Sequence, residues 1–154
     1  MSELTGARQV VLVTTRYEGK DNIITLAWHT PLSFEPFLYG IVIGKERYSY
    51  ALVSKSKIFC VNFIPAEMKE IAIKCGTVSG RDIDKFTAFG IEKEECKAID
   101  CARIKNCLGY LECKVIKEVE VGDHAIFVGN VEREEYIKDG KRLYHITNSL
   151  FKSF

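Results

Sequence analysis

The segment 111–131 constrains the fold more than any other part of the chain. Up to residue 121 apolar side chains alternate with charged ones, and the apolar set is Leu111, Cys113, Val115, Val119 and Val121. A period of two is typical of a strand with one buried and one solvated face, although Lys117 interrupts it. Gly122-Asp123 places glycine first, as a type II′ turn requires, and a more apolar run follows over 125–131. The sequence therefore predicts an antiparallel hairpin here.

Further strands and short helices surround this hairpin. The predicted strands cover 8–17, 22–29, 37–43 and 57–64. The predicted helices cover 48–55, 66–75 and a short turn at 84–89, with Pro65 opening the second and Gly76 closing it. A last hairpin is predicted to turn at Asp139-Gly140. Because barrel closure removes exposed strand edges, the pattern predicts a mainly β fold, a small barrel with short helical insertions.

Composition restricts the classes of partner. The 154 residues carry a net charge of +1, which is too small to favour nucleic acid. No apolar run approaches the roughly 20 residues that span a bilayer, and the polar start has no signal-peptide pattern. There is no internal repeat and no Pro/Gly/Ser linker. We therefore expect one domain over 1–154, located in the cytoplasm, with no nucleic-acid or membrane partner.

The six cysteines form no Cys-x-x-Cys pair, and the three histidines lie far apart in sequence. This spacing predicts no metal site. Cys60 and Cys113 fall in apolar strands, where a thiol acts as a small hydrophobe. Cys96, Cys101 and Cys107 fall in a predicted loop region. The sequence leaves open whether these three form a disulfide, act as redox-active thiols or do neither.

Five segments in a fixed order carry the candidate binding residues. They are Asn22-Ile-Ile-Thr-Leu-Ala-Trp-His29, Lys45-Glu-Arg-Tyr-Ser49, Ser79-Gly-Arg-Asp-Ile-Asp-Lys-Phe86, Leu111-Glu-Cys113 and Val121-Gly-Asp-His-Ala-Ile-Phe-Val-Gly-Asn-Val131. On a strand, the Thr25 hydroxyl and nearby amides would face a ligand edge while Ile24 and Leu26 pack behind. Arg47 and Ser49 lie at a helix start, where unpaired N–H groups and the positive dipole end favour an anion.

These segments resemble the flavin reductase-like family of FMN-binding split barrels, and especially its flavoredoxin-type branch. The resemblance covers roughly residues 8 to 135. It implies a six-stranded antiparallel Greek-key split barrel that forms a homodimer, with FMN bound at the subunit interface. The tail differs, because many members continue into a Gly-Gly segment where this chain has Thr147-Asn148-Ser149.

The resemblance implies a role for each candidate residue. The isoalloxazine and ribityl chain would lie along Thr25, Leu26, Ala27 and Trp28. The phosphate would be held by Arg47, Ser49 and Lys85, while Ser79 and Gly80 would let a loop approach the ligand closely. His124 is the catalytic candidate, placed to position a nicotinamide or substrate.

The residues themselves allow other interpretations. Arg47 is also typical of a solvated surface cation, and Ser49 of a helix cap. A surface ion network is the alternative for Arg81, Asp82, Asp84 and Lys85. For His124 the alternative is a structural hydrogen bond to a nearby carbonyl, and His145 is expected to be an exposed strand-end residue.

The function implied is that of an NAD(P)H-dependent FMN reductase. Electrons from NADH or NADPH would pass through FMN to a small-molecule or protein acceptor such as free flavin or ferric iron. The alternative is a non-enzymatic FMN electron-transfer protein of the flavoredoxin kind, and a flavin-free barrel is a third hypothesis. The chain lacks a Gly-x-Gly-x-x-Gly after a strand, so no separate dinucleotide-binding domain is predicted.

Overall fold

The computed structural model describes residues 3–154, and strands make up most of its regular structure. The strands are β1 (Arg8–Gln9), β2 (Val11–Tyr17), β3 (Lys20–Leu26), β4 (His29–Ser33), β5 (Leu38–Gly44), β6 (Ile58–Phe63), β7 (Lys93–Glu95), β8 (Ala102–Ile104), β9 (Gly109–Val121), β10 (His124–Tyr136), β11 (Leu143–Thr147) and β12 (Leu150–Ser153). The α-helices are α1 (Tyr48–Ser56), α2 (Lys69–Thr77) and α3 (Lys85–Ala88). Among these residues no helix is both long enough and apolar enough to cross a membrane.

Seven strands form the main sheet, in the order β3-β2-β6-β9-β10-β5-β4, with every neighbouring pair antiparallel. The two edge strands, β3 and β4, are consecutive in the chain and are joined by Ala27 and Trp28. The amide of Val42 on β5 donates to the carbonyl of Trp28 at 3.0 Å. The connection brings the two edges together, and the sheet wraps into the predicted split barrel, with β4 as a short strand beside the six long ones.

The β9–β10 hairpin follows the prediction. Its turn contains Gly122 at φ +59°, a value that glycine adopts without strain. Val128 pairs with Lys117, but the next residue, Gly129, pairs with Val115. The strand therefore bulges at the point where Lys117 interrupts the alternation, as an extra residue in one strand requires.

Buried side chains form two clusters on the two faces of the barrel wall. The inner cluster takes residues from all six long strands and includes Val11, Val13, Ile41, Phe59 and Phe127. The outer cluster packs the wall against α2, α3 and the β7–β8 hairpin and includes Val10, Leu12, Ile23, Ala72 and Phe86. Successive residues of β2 alternate between the clusters because strand side chains point to opposite faces.

Several predicted boundaries are corrected. The strand predicted over 22–29 ends at Leu26, and the chain bends through Ala27 and Trp28 before β4 begins. The helix predicted over 66–75 is a 3₁₀ turn at Ala66–Met68 followed by α2, which runs past Gly76.

The hairpin predicted at Asp139-Gly140 is wrong. The amides of Ile137 and Lys138 both donate to the Leu108 carbonyl, so this segment packs along Leu108 instead of turning back. The last hairpin is β11–β12, and β11 pairs with β1.

Candidate functional site

One cavity of about 670 Å³ opens where β3, β5, the start of α1, the end of α2 and the start of α3 meet. This volume lies within the range of about 300–1,000 Å³ that is usual for small-molecule sites. All nine residues predicted for the site line it: Thr25, Leu26, Ala27, Trp28, Arg47, Ser49, Ser79, Lys85 and His124. Segments that are distant in sequence therefore meet at one place.

The end of β3 is clamped to α2 through Thr25. Its hydroxyl donates to the Ala72 carbonyl at 2.5 Å, and a Cβ at Gly76 would lie 3.3 Å from the Thr25 Cβ. The hydrogen of this hydroxyl is therefore used within the protein, and only its oxygen is left to accept from a ligand. Thr25 still contributes to the cavity wall, beside the buried Leu26.

Trp28 and His124 form an aromatic wall. Their ring centroids are 4.8 Å apart with an interplanar angle of 31°. The Nδ1 of His124 is 2.6 Å from Oδ1 of Asp123, a contact that lowers the pKa of the aspartate. The Nε2 atom lies 3.6 Å from the position of a Cβ on Gly44 at the end of β5. The bonded partner of His124 is thus a carboxylate and not the carbonyl predicted by the structural alternative.

The start of α1 presents a cation and unpaired amides. Arg47 is the N-cap residue without a side-chain cap, and the first N–H groups of a helix have no acceptor within it. Its guanidinium is exposed and, within residues 3–154, makes no hydrogen bond or ion pair. Ser49 is buried, and its hydroxyl accepts a hydrogen bond from Asn22 Nδ2 at 2.8 Å, so the helix-cap interpretation is wrong. An anionic oxygen fits this helix start.

Lys85 is a buried cation on the opposite wall, only 5% exposed. Its Nζ donates to the carbonyls of Ile23 and Cys75, both at 2.7 Å, and burial lowers its pKa. An ammonium has three hydrogens, so one remains for a ligand. The surface ion network is wrong, since Asp84 caps α3 by accepting from the Phe86 amide at 3.0 Å.

Other residues complete the wall, and of these Tyr48 and Arg81 were not predicted from the sequence as site residues. Gly80 lets the loop approach β3, because a Cβ there would lie 2.1 Å from Asn22 Oδ1. The ring of Tyr48 lies near two cations, with Lys20 Nζ at 5.1 Å and Arg81 at 5.4 Å from its centroid. Gly80 and Arg81 belong to the candidate binding segment Ser79–Phe86, so the sequence did contain a signal for them. His145 also lines the cavity, and its position depends on the pairing of β11.

The chain belongs to the family described as the flavin reductase like domain, whose model matches residues 4–152. An uncharacterized protein of Archaeoglobus fulgidus is 39% identical over 125 residues, which cover 79% of this chain and 71% of that protein. The ferric-chelate reductase (NAD(P)H) of the same organism is 27% identical, with coverage of 79% and 71%.

Solved structures show the same fold. The FMN-binding protein of Thermus thermophilus with bound p-hydroxybenzaldehyde superposes with a TM-score of 0.89 at 23% identity, covering 97% of this chain and 87% of that one. The flavoredoxin of Methanosarcina acetivorans gives a TM-score of 0.85 at 24% identity, with coverage of 96% and 85%. These similarities confirm the split-barrel fold.

Proposed function

We propose that the chain is a single FMN-binding domain that passes electrons from NADH or NADPH to an acceptor. The observation that carries this proposal is a cavity with two chemically different ends. Leu26, Ala27 and Trp28 offer the apolar and aromatic wall that a flat heterocycle needs. Arg47, Lys85 and the first amides of α1 offer the cations and donors that a phosphate needs.

The hydrogen bonds that the cavity residues already make within the protein leave donors available for FMN. The guanidinium of Arg47 is available and Lys85 keeps one hydrogen, whereas the Thr25 hydroxyl has already donated its hydrogen. We assign the phosphate to Arg47, Ser49, Ser79 and Lys85, and the ring system to the end of β3. The cavity lining holds three buried or rim cations, Arg47, Arg81 and Lys85, and one carboxylate, Glu46, so its charge favours a dianion.

Bound FMN would supply a hydride acceptor that can release electrons to a second substrate. The protein's own contribution is binding, orientation and exclusion of water. Trp28 packs on His124, and Asp123 fixes the imidazole through Nδ1. We assign His124 to positioning the nicotinamide or the acceptor. The similarity to an NAD(P)H-dependent ferric-chelate reductase supports this class of donor, and we place the reaction in the cytoplasm.

Two measurements on the purified protein test the proposal. The absorbance spectrum, recorded after incubation with FMN and desalting, should retain the flavin bands. Steady-state oxidation of NADH or NADPH with excess FMN should then show turnover. Retained FMN without turnover with either donor would make the protein an electron carrier of the flavoredoxin kind. Loss of all flavin together with absence of turnover would refute the proposal.

We also propose that the protein is a homodimer with the cavity at the subunit interface. Two large apolar side chains are exposed on β4 and directly after it, Leu32 at 46% and Phe34 at 98%. Exposed apolar groups that lie close together in the chain favour an interface. Light scattering should give twice the mass of the chain, and a monomer with FMN bound would contradict the proposal.

A further inference from the structure

Three thiols meet on the outer face of the barrel, away from the cavity. Cys60 lies on β6, Cys96 follows β7 and Cys101 precedes β8. Cys60 and Cys101 are buried in the outer cluster and Cys96 packs against it, and all three are free cysteines. Over residues 3–154 no group of His, Cys, Asp and Glu side chains has the arrangement of a metal site. Thiol chemistry is the reactivity that these three side chains share.

The β7–β8 hairpin places Cys96 opposite Cys101. Glu95 pairs with Ala102, and the next pair outward is held by the Cys96 amide, which donates to the Cys101 carbonyl at 2.8 Å. The Cys101 amide donates to the Ile99 carbonyl at 3.0 Å, so Cys96 and Cys101 share one backbone bond. The Cα atoms of directly opposite residues in an antiparallel pair are about 4.5–5.5 Å apart. Disulfides join Cα atoms that are about 4.4–6.8 Å apart, so the backbone spacing allows a bridge between the two sulfurs.

The loop between the two cysteines is held in place by contacts with other strands. The Glu112 carboxylate, which is fully buried, accepts from the amides of Lys97 at 2.9 Å and Ala98 at 2.6 Å. Arg16 connects the two ends of this loop through ion pairs to Glu95 at 2.6 Å and Asp100 at 2.8 Å. These contacts do not involve either sulfur, so they hold the hairpin in place whether the thiols are reduced or bridged.

The two thiols differ in access and in acidity. Cys96 is partly exposed, whereas Cys101 and Cys60 are fully buried. The neighbouring thiols of Cys101 and then Cys60 lower the pKa of Cys96. The neighbouring Cys96 and burial raise the pKa of Cys101. A thiolate is the nucleophilic form of cysteine, so Cys96 is the attacking thiol and Cys101 the resolving one.

We propose that Cys96 and Cys101 form a peroxide-reactive pair that closes into a disulfide. The Cys96 thiolate attacks one oxygen of hydrogen peroxide, an S–O bond forms, the O–O bond breaks, and the departing hydroxide takes a proton to become water. The Cys101 sulfur then attacks the sulfenic sulfur. The S–S bond forms, the S–O bond breaks, and the hydroxyl leaves with the Cys101 proton as a second water. Two thiols are oxidised by two electrons as one peroxide is reduced.

Tryptic mapping of the full-length protein tests this proposal directly. Trypsin cleaves after Lys93, Lys97 and Arg103, so Cys96 and Cys101 fall in different peptides, 94–97 and 98–103. The reduced protein is treated with one equivalent of hydrogen peroxide, alkylated and digested without reductant. The expected product is these two peptides joined, at their summed mass less two hydrogens. Two alkylated separate peptides, or a link from 94–97 to the Cys60 peptide 58–69, would overturn the proposal.

Variants separate the two steps. In Cys101→Ser, peroxide should leave a sulfenic acid on Cys96 that dimedone labels, with the crosslink lost. Cys107→Ser removes another buried thiol of the outer cluster and should keep the crosslink. At pH 6 the wild-type protein should alkylate at Cys96 about tenfold faster than at its other thiols. Dimedone labelling elsewhere in place of Cys96, or equal alkylation of all six thiols, would contradict the assignment even if a variant folds poorly.

Discussion

Lys85 shows how one side chain can serve both the fold and the site. Its ammonium joins β3 to the end of α2 by donating to the carbonyls of Ile23 and Cys75. These carbonyls are left without this donor if the side chain is truncated, and an unsatisfied buried polar group destabilises a fold. A loss of flavin affinity in a Lys85 variant would therefore mix two effects. Arg47, whose exposed guanidinium makes no hydrogen bond or ion pair within the described range 3–154, is the better reporter of the ligand.

Replacement of Lys85 should destabilise the protein without any ligand. We expect Lys85→Ala to lower the free energy of unfolding by about 2–3 kcal/mol, because two charge-assisted hydrogen bonds are lost. Urea denaturation of the flavin-free protein measures this change. Lys105→Ala, which removes an exposed lysine outside the cavity, should change the free energy by less than about 0.5 kcal/mol. Equal stability of the two variants would contradict the structural role.

At the scale of elements, the β9–β10 hairpin has a glycine beside its bulge, where the core is tightly packed. Gly129 is the residue at which the register shifts. A Cβ there would lie 2.6 Å from Phe59 Cζ and 2.8 Å from Cys113 Cβ. Both neighbours are fully buried, and a close-packed core has no room for them to move aside. The inner core therefore requires the missing side chain at this position.

Gly129→Ala should consequently be an overpacking variant. We expect its free energy of unfolding to fall by about 1–3 kcal/mol. The matched control is Gly44→Ala at the end of β5, where a Cβ would make only ordinary contacts, at 3.6 Å from Arg47 Cγ and His124 Nε2. Thermal or urea unfolding compares the two. An equal effect of both substitutions would show that the packing around Phe59 is not what excludes a side chain.

His29 links β4 to two other strands and should make stability depend on pH. Its Nε2 is 2.7 Å from the Gln9 carbonyl, and its Nδ1 is 2.7 Å from the Tyr39 hydroxyl. A carbonyl only accepts, so Nε2 carries the hydrogen in the neutral ring. Burial lowers the pKa of His29 below its ordinary value of 6.5. The unfolded chain therefore binds this proton first as pH falls.

Acidification should therefore lower the stability of the folded protein. Stability from His29 is present above about pH 6.5 and decreases as pH falls from there through the folded-state pKa. Comparison of unfolding free energies from pH 8 to pH 5 should show a steeper loss for the wild type than for His29→Gln, which does not titrate. Parallel pH profiles would contradict a depressed pKa at this position.

At the scale of the whole molecule, barrel closure and site formation depend on the same residues. Ala27 and Trp28 connect the two edge strands of the sheet, and they also line the cavity. The start of α1 and the loop before α3 then enclose the remaining sides. The fold therefore creates a cavity at the seam of the barrel, with the aromatic wall supplied by the connection itself.

The sequence predicted correctly those strands, turns and helices that local sequence patterns determine. The hairpin at Gly122-Asp123 and the helix α1 were readable because strand alternation and helix-start chemistry involve neighbouring residues. Motif resemblance also identified nine residues that the fold brings to one cavity. The bonds of Lys85, Thr25 and Ser49 were not readable, because each partner lies on a distant segment. The hairpin predicted at Asp139-Gly140 was overridden by packing on Leu108, a tertiary contact.

The most direct test of the account compares FMN with riboflavin, which lacks the phosphate. Fluorescence titration should show that the wild type binds FMN at least about tenfold more tightly than riboflavin, a difference of about 1.4 kcal/mol. Arg47→Ala should lose most of this preference while keeping its affinity for riboflavin, and Lys105→Ala should keep both. Equal affinity of the wild type for the two flavins, or an undiminished preference in Arg47→Ala, would contradict the assignment of the cationic end of the cavity to the FMN phosphate.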